Sequence, residues 1–263
     1  MPELPDVEVF KQYLDATALH QTIDGVEIDT TMVLDDVSRQ ALIQTLSGRQ
    51  LESTRRHGKH LLAALDRGSY LTLHFGMTGY LKYFKDPDDS PDHVRLLLSF
   101  AGGYHLAYVS QRKLGRVGLT ADPEKFIQEK DLGPDALELD LDGFRDVMAG
   151  RRGMLKSTLM NQSVLAGLGN VYSDEILYHC GLHPKVPAAS LDEEVQEKLF
   201  NEMRQTLQEA IQDRADPRNF PESWLTPQRH KGGECPKGHG RLERVKVAGR
   251  SAYYCSRCQP GPA

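Results

Sequence analysis

Apolar and polar residues alternate in short runs along the first 120 or so positions, and two pairs of these runs are joined by glycine-bearing turns. Positions 61–65 and 70–75 flank Asp66-Arg67-Gly68, while 94–100 and 104–109 flank Gly102-Gly103; each pair predicts a β-hairpin. Two helices interrupt this block. One begins near Pro5-Asp6 and sets Val7, Phe10 and Leu14 on one face; the other covers 37–46. The polar segment 85–91, rich in Asp and Pro, predicts a mobile loop. After about residue 122 the period changes, and 144–148, 155–160 and 172–178 predict short helices. A long helix follows, with Val195, Leu199, Met203, Leu207 and Ile211 recurring every four residues. Ser190 is expected to cap it, with Glu193 completing a capping box. Strands in one block and helices in another predict an α+β fold with a boundary near Leu132-Gly133-Pro134.

Composition narrows the class without naming it. The 263 residues are 39% hydrophobic and 26% charged, an ordinary globular balance. No run approaches the ~18 apolar residues of a membrane span, and MPELPDVEVF lacks the basic start and apolar core of a secretory signal. A cytoplasmic protein is expected. The net charge of -5 hides an asymmetry: residues 151–263 carry 16 Lys and Arg against 13 Asp and Glu, so the acidic excess lies in the first half. Residues 229–263 alone hold eight basic groups against Glu234 and Glu243. A local excess of that size attracts phosphate even on an acidic protein, because screening lets near charges dominate.

Three of the four cysteines, Cys235, Cys255 and Cys258, crowd the C-terminal tail, apart from Cys180. Cys255-x2-Cys258 has the spacing of a metal knuckle, and Cys235 is its partner. A tetrahedral zinc site wants a fourth local ligand. Position 238 is Gly, which leaves His239 as the best candidate. Between the ligand pairs, runs 241–247 and 251–254 turn at Ala248-Gly249, so a zinc-held hairpin is expected with Arg250 at its tip. One structural zinc ion per chain is expected. At the other end of the chain, removal of Met1 would give Pro2 a free secondary amine. An α-amino group titrates near neutrality and attacks carbonyl-type carbons, and Glu3 beside it could move protons.

Three segments occur in order: Pro2-Glu3-Leu4-Pro5-Asp6-Val7-Glu8, then Gly167-Leu168-Gly169-Asn170-Val171-Tyr172-Ser173-Asp174-Glu175, then Gly249-Arg250-Ser251-Ala252-Tyr253-Tyr254-Cys255. With them the chain resembles, over essentially its whole length, the formamidopyrimidine-DNA glycosylase / endonuclease VIII family of bifunctional base-excision repair enzymes. The resemblance implies an N-terminal β-sandwich-like catalytic domain (1–132), a helix–two-turn–helix domain (133–228) and a zinc finger (229–263). It implies a monomer acting on duplex DNA that contains a damaged base or abasic site, in a bacterial-type, nucleoid-associated cytoplasmic setting. Carried over by position, Pro2 is the nucleophile and Glu3 the acid/base. Lys59 and Arg250 grip phosphates around the lesion. Lys156 and Asn170 are DNA-binding residues of the helical domain. Met77, Arg112 and Leu114 fill the hole left by an extruded base.

The chain departs from the family pattern at several places. Asp6 stands where the family usually has Glu, Leu114 replaces the more usual Phe, and Ser110-Gln111 replace Asp-Pro. His239 replaces a cysteine, shifted by one. About twenty residues separate the long helix from Cys235, where members specialised for 8-oxoguanine carry a longer loop. Oxidised pyrimidines, hydantoins and ring-opened purines are therefore comparably expected substrates. Two other classes stay open: a catalytically reduced family member that only recognises damaged DNA, and a zinc-ribbon accessory protein. Retention of Pro2 and Glu3 argues against the first, and the Gly-Leu-Gly-Asn segment against the second.

Overall fold

A computed structural model describes residues 1–261. The chain forms two compact units, one of Met1–Pro2 with Asp6–Lys130, the other of Glu3–Pro5 with the chain from Asp131 onward. Helix α1 (Leu4–Thr17) begins in the second and continues in the first.

The first unit is built on two sheets. Strands β1 (Ile23–Ile28), β6 (Tyr80–Phe84), β7 (Val94–Phe100) and β8 (His105–Val109) form an antiparallel sheet in the order β1-β7-β8-β6. Strands β2 (Leu34–Asp35), β3 (Leu51–His57), β4 (His60–Leu65), β5 (Tyr70–His74) and β9 (Arg116–Thr120) form the other, ordered β2-β9-β5-β4-β3, with a parallel β2–β9 pair at its edge. Inward residues of both sheets, among them Leu61, Ala63, Leu73, Leu98, Leu106 and Tyr108, share one buried cluster with Val7 and Leu14 of α1 and with Leu42 and Leu46 of α2 (Arg39–Leu46). That shared core makes the unit sandwich-like. The strands pair as expected at both glycine turns. Segment 85–91 is not featureless: Asp86 caps a 3-10 turn by accepting from Asp88 N at 3.0 Å, and Lys82 donates to the Asp89 carbonyl. Helix α3 (Pro123–Glu129) follows β9, started by the Asp122 side chain. This helix was not singled out from the sequence.

The second unit contains α4 (Leu141–Met148), α5 (Leu155–Leu159), α6 (Asn170–Cys180), α7 (Glu193–Gln212) and a hairpin, β10 (Glu243–Val247) with β11 (Arg250–Tyr254). Leu199, Met203 and Leu207 of α7 are buried as the four-residue spacing requires, and Phe200, Thr206 and Ala210 widen the stripe. The capping box at Ser190 is corrected. Ser190 closes a separate 3-10 turn, its hydroxyl on the Pro187 carbonyl at 2.8 Å, and Asp192 caps α7 by accepting from Val195 N at 2.9 Å. Asp caps as well as Ser, and Ser190 stands two residues too early, with Leu191 buried between them. Among the described residues, no helix is long and apolar enough to cross a membrane.

Candidate functional site

The segment Gly167-Leu168-Gly169 leads into α6 and forms the seat of Glu3. Gly167 has φ 118°, and a Cβ there would lie 2.5 Å from Leu4 Cδ1; the Leu4 N–H donates to the Gly167 carbonyl at 3.0 Å. A Cβ on Gly169 would lie 2.4 Å from Glu3 Cδ. Both positions need glycine because another part of the chain occupies the Cβ space. The first N–H groups of a helix have no partner within it. Here the N–H groups of Gly169 (2.8 Å), Val171 (2.8 Å) and Tyr172 (3.2 Å) donate to the Glu3 carboxylate, which is 1% exposed. A carboxylate at this end also meets the positive pole of the helix. Pro2, half-buried, precedes it directly.

One turn further along α6 lies a buried ionic cluster. Asp174, beneath Asn170 on the same face, pairs through Oδ1 with Lys156. Through Oδ2 it accepts from Arg229 Nη2 at 2.8 Å, Arg229 Nε at 3.0 Å and the backbone N–H of Tyr253 at 3.1 Å. Lys156 and Arg229 also both donate to the Asn170 carbonyl at 3.0 Å. Burial pushes the Lys156 ammonium below the usual lysine range, with Asp174 opposing that shift. Sequence reasoning placed Lys156 among the DNA contacts. The structure places it fully inside, its ammonium on protein acceptors. Asn170 is half-buried at the first position of α6. Asp174, Arg229 and Tyr253 were not singled out from the sequence; two consecutive acids, Asp174-Glu175, inside an otherwise apolar helix were the available signal.

The finger donors converge. The ligand atoms of Cys235, His239, Cys255 and Cys258 all lie within 4.8 Å of one another. None of the cysteines is in a disulfide. Gly238 (φ 73°) and Gly240 (φ 93°), on either side of His239, let the chain double back, and the Cys235 N–H donates to the Gly240 carbonyl at 2.8 Å. Three sulfurs and one imidazole nitrogen in this arrangement suit one structural zinc ion. At the far end of the hairpin, Ala248 (φ 47°) and Gly249 (φ 76°) make the two-residue left-handed turn that hairpin twist favours, and Arg250 follows it, exposed.

In the first unit, Lys59 sits in the Gly58-Lys59 turn joining β3 to β4 and is 8% exposed. The register sets His57, His60, His74 and Arg116 side by side across β3, β4, β5 and β9 on one face. Burial, reinforced by neighbouring cations and imidazoles, pushes His60 down to about 3, and burial with Lys59 pushes His74 down to about 4. This row is a feature that sequence spacing did not suggest. Met77 and Leu114, 41% and 43% exposed, stand on two adjacent loops. The loops meet backbone to backbone: a Cβ on Gly76 would lie 2.6 Å from Gly115 N. Arg112 Nη1 lies 3.1 Å from Met77 Sδ, so the three residues expected to act together are brought together.

The family model for the formamidopyrimidine-DNA glycosylase N-terminal domain matches residues 1–117, and that for its H2TH domain matches 132–220. A zinc finger found in FPG and IleRS matches 240–261. A formamidopyrimidine-DNA glycosylase from Moorella thermoacetica is 33% identical over 262 residues, covering 98% of this chain and 92% of its own. The chain belongs to the formamidopyrimidine-DNA glycosylase family. A second glycosylase of this name, from Geobacter metallireducens, is 33% identical over 98% of this chain and 100% of its own. Among solved structures, Lactococcus lactis formamidopyrimidine-DNA glycosylase bound non-covalently to DNA containing an abasic site superposes with a TM-score of 0.87. It is 26% identical and is matched over 98% of this chain and all of its own. The wild-type enzyme with DNA containing N7-benzyl-Fapy-dG gives 0.88 at the same identity. As a formamidopyrimidine-DNA glycosylase relative, the chain has the family's β domain, helical domain and zinc finger throughout.

Proposed function

We propose that this protein removes damaged bases from duplex DNA and cleaves the resulting abasic site, with Pro2 as the nucleophile once Met1 has been removed. The observation that carries this reading is the seat of Glu3: two glycines and three helix N–H groups hold the residue next to Pro2 in one place. The Pro2 nitrogen attacks C1′ of an extruded nucleotide. The bond from C1′ to the base breaks, and the base leaves with a proton for which Glu3 is the source. Loss of the nitrogen proton gives an aminal; the C1′–O4′ bond then breaks, O4′ takes a proton relayed by Glu3, and the opened sugar remains as a Pro2–deoxyribose iminium, a covalent intermediate of the Schiff-base kind. The iminium acidifies C2′; loss of that proton expels the 3′ phosphate, and a second elimination expels the 5′ phosphate. Water then releases the sugar fragment from Pro2.

Lys59 and Arg250 hold the phosphates, and Asn170 adds a neutral donor at the opening of α6. Met77, Arg112 and Leu114 occupy the space the base vacates. Lys156 supports the turn that carries Asn170 rather than meeting DNA itself. The zinc ion, bound by Cys235, His239, Cys255 and Cys258, supplies folding energy to a hairpin with little core of its own. Such a protein works as a monomer at the chromosome, in a nucleoid-associated cytoplasmic setting.

A specific observation bears on substrate. The segment between α7 and Cys235 is committed to packing: Phe220, Trp224 and Leu225 are buried, and Glu175 accepts from Leu225 N at 2.8 Å and Thr226 N at 2.6 Å. That leaves little chain to close over an extruded 8-oxoguanine, which favours ring-opened purines, hydantoins and oxidised pyrimidines. The test is borohydride trapping on abasic and lesion-bearing duplexes. Mature protein should form a covalent adduct at Pro2. Protein shown by mass spectrometry to retain an N-terminal extension should bind DNA without trapping. Trapping by the extended protein would remove Pro2 from the mechanism.

A further inference from the structure

We propose that Asp174 is a positioning residue for the lyase step: it locks the strand that carries Arg250 to the helix that seats Glu3. The inference rests on the lyase reading above. Among the described residues, strand β11 pairs with β10 along one edge only. On its other edge the Tyr253 N–H donates to Asp174 Oδ2 at 3.1 Å. Tyr253 is three residues from Arg250, roughly 10 Å along an extended strand. A hairpin held only by its metal end can swing at its tip, and a second fixed point along β11 removes that freedom. The fixed point is itself rigid. Asp174 is 1% exposed, and its remaining acceptor capacity is taken by Lys156 and Arg229.

Those two cations reach back to the Asn170 carbonyl, in the same first turn whose N–H groups hold Glu3. The proton-handling carboxylate and the phosphate-gripping guanidinium are thereby referred to one turn of one helix. Arg229 adds a further tie, its guanidinium lying 5.4 Å from the centre of the Tyr253 ring. The neighbouring Glu175 fixes the chain entering the finger through Leu225 and Thr226, so α6 grips the finger at both its stem and its second strand.

The test compares wild type, Asp174→Asn and Asp174→Glu on preformed abasic duplex, reading borohydride trapping and the ratio of δ- to β-elimination products. Zinc content and thermal midpoint are measured alongside. A general loss of folded protein would lower trapping and both products together. A positioning role splits them: Asp174→Asn should keep trapping within about twofold and lower the δ-to-β ratio by about tenfold or more, the scale of one lost charge-assisted contact. Asp174→Glu, which keeps the charge, should recover much of the ratio. An unchanged ratio in well-folded, zinc-loaded Asp174→Asn overturns the inference while leaving the lyase reading intact. Failure of the wild-type protein to trap overturns both. If Asp174→Asn does not fold, hydrogen exchange in the unmodified protein decides. The Tyr253 amide should be protected to the level of the β10–β11 ladder, and rapid exchange there overturns the inference.

Discussion

Replacing Gly169 by alanine places one methyl group where Glu3 now lies. The added Cβ would stand 2.4 Å from Glu3 Cδ and from Oε1, about 1 Å inside the ~3.5 Å at which carbon atoms meet. Glu3 cannot yield by rotation alone, since both oxygens are held by N–H groups at 2.8, 2.8 and 3.2 Å. A shift of about 1 Å takes the two short bonds out of hydrogen-bonding range. Hydrogen bonds to a charged group contribute about 1.5–3 kcal/mol each, and water can replace part of that at the helix end. The alanine also restricts the unfolded chain, which stabilises by at most about 1 kcal/mol. The loss wins, and a net destabilisation of about 1–2 kcal/mol is expected. The effect on chemistry should be larger, because a 1 Å misplacement near reacting atoms costs roughly a hundredfold in rate. Single-turnover base release from a lesion duplex, measured beside urea unfolding, reads both. A Gly169→Ala protein with wild-type base release and unchanged stability would show that Glu3 does not depend on this seat.

His239→Ala should lose zinc to a chelator much faster than wild type and loosen the hairpin; equal zinc retention would remove His239 from the site. Arg250→Ala should cut base release and δ-product by roughly tenfold to a hundredfold, the worth of a charge-assisted contact. Trapping on a preformed abasic site should be spared. The salt dependence of its DNA binding should shallow by about one phosphate contact, and an unchanged salt slope would count against a phosphate role. Acid sensitivity should trace to His60 and His74. Their folded values, about 3 and about 4, lie below the unfolded 6.5. The unfolded chain therefore binds protons that the folded one refuses. Stability is full above pH 6.5 and falls as the pH drops toward 4, by up to about 1.4 kcal/mol per pH unit for each histidine. His60→Phe should flatten that fall in urea titrations at successive pH values, and an identical slope would reject the assignment.

Much of the site was legible because its chemistry is local. Cys235, His239, Cys255 and Cys258 lie within 24 residues, and a donor set with that spacing leaves few alternatives. The Ala248-Gly249 turn and the Gly-Leu-Gly segment are likewise short runs whose backbone requirements show in the residue types. Lys156 shows the limit. The resemblance assigns it to DNA binding, and only folding brings Asp174, 18 residues away, and then Arg229, 55 residues beyond that, against it. The His57–His60–His74 row was hidden for the same reason, since it depends on the register of three strands. At α7, Ser190 and Asp192 are both good caps, and tertiary burial of Leu191 chose between them.

The seat of Glu3 also sets a schedule for the newborn chain. Its three hydrogen bonds join positions 166 to 169 residues apart. During synthesis residue 3 emerges early, while the turn that will hold it does not exist until residue 172 has been added. At roughly 5–20 residues per second, that leaves the first residues without their final partners for about 10–30 s. The long-range contact that orients the proposed catalytic pair can therefore form only after all of the first unit, which ends at Lys130, has been synthesised.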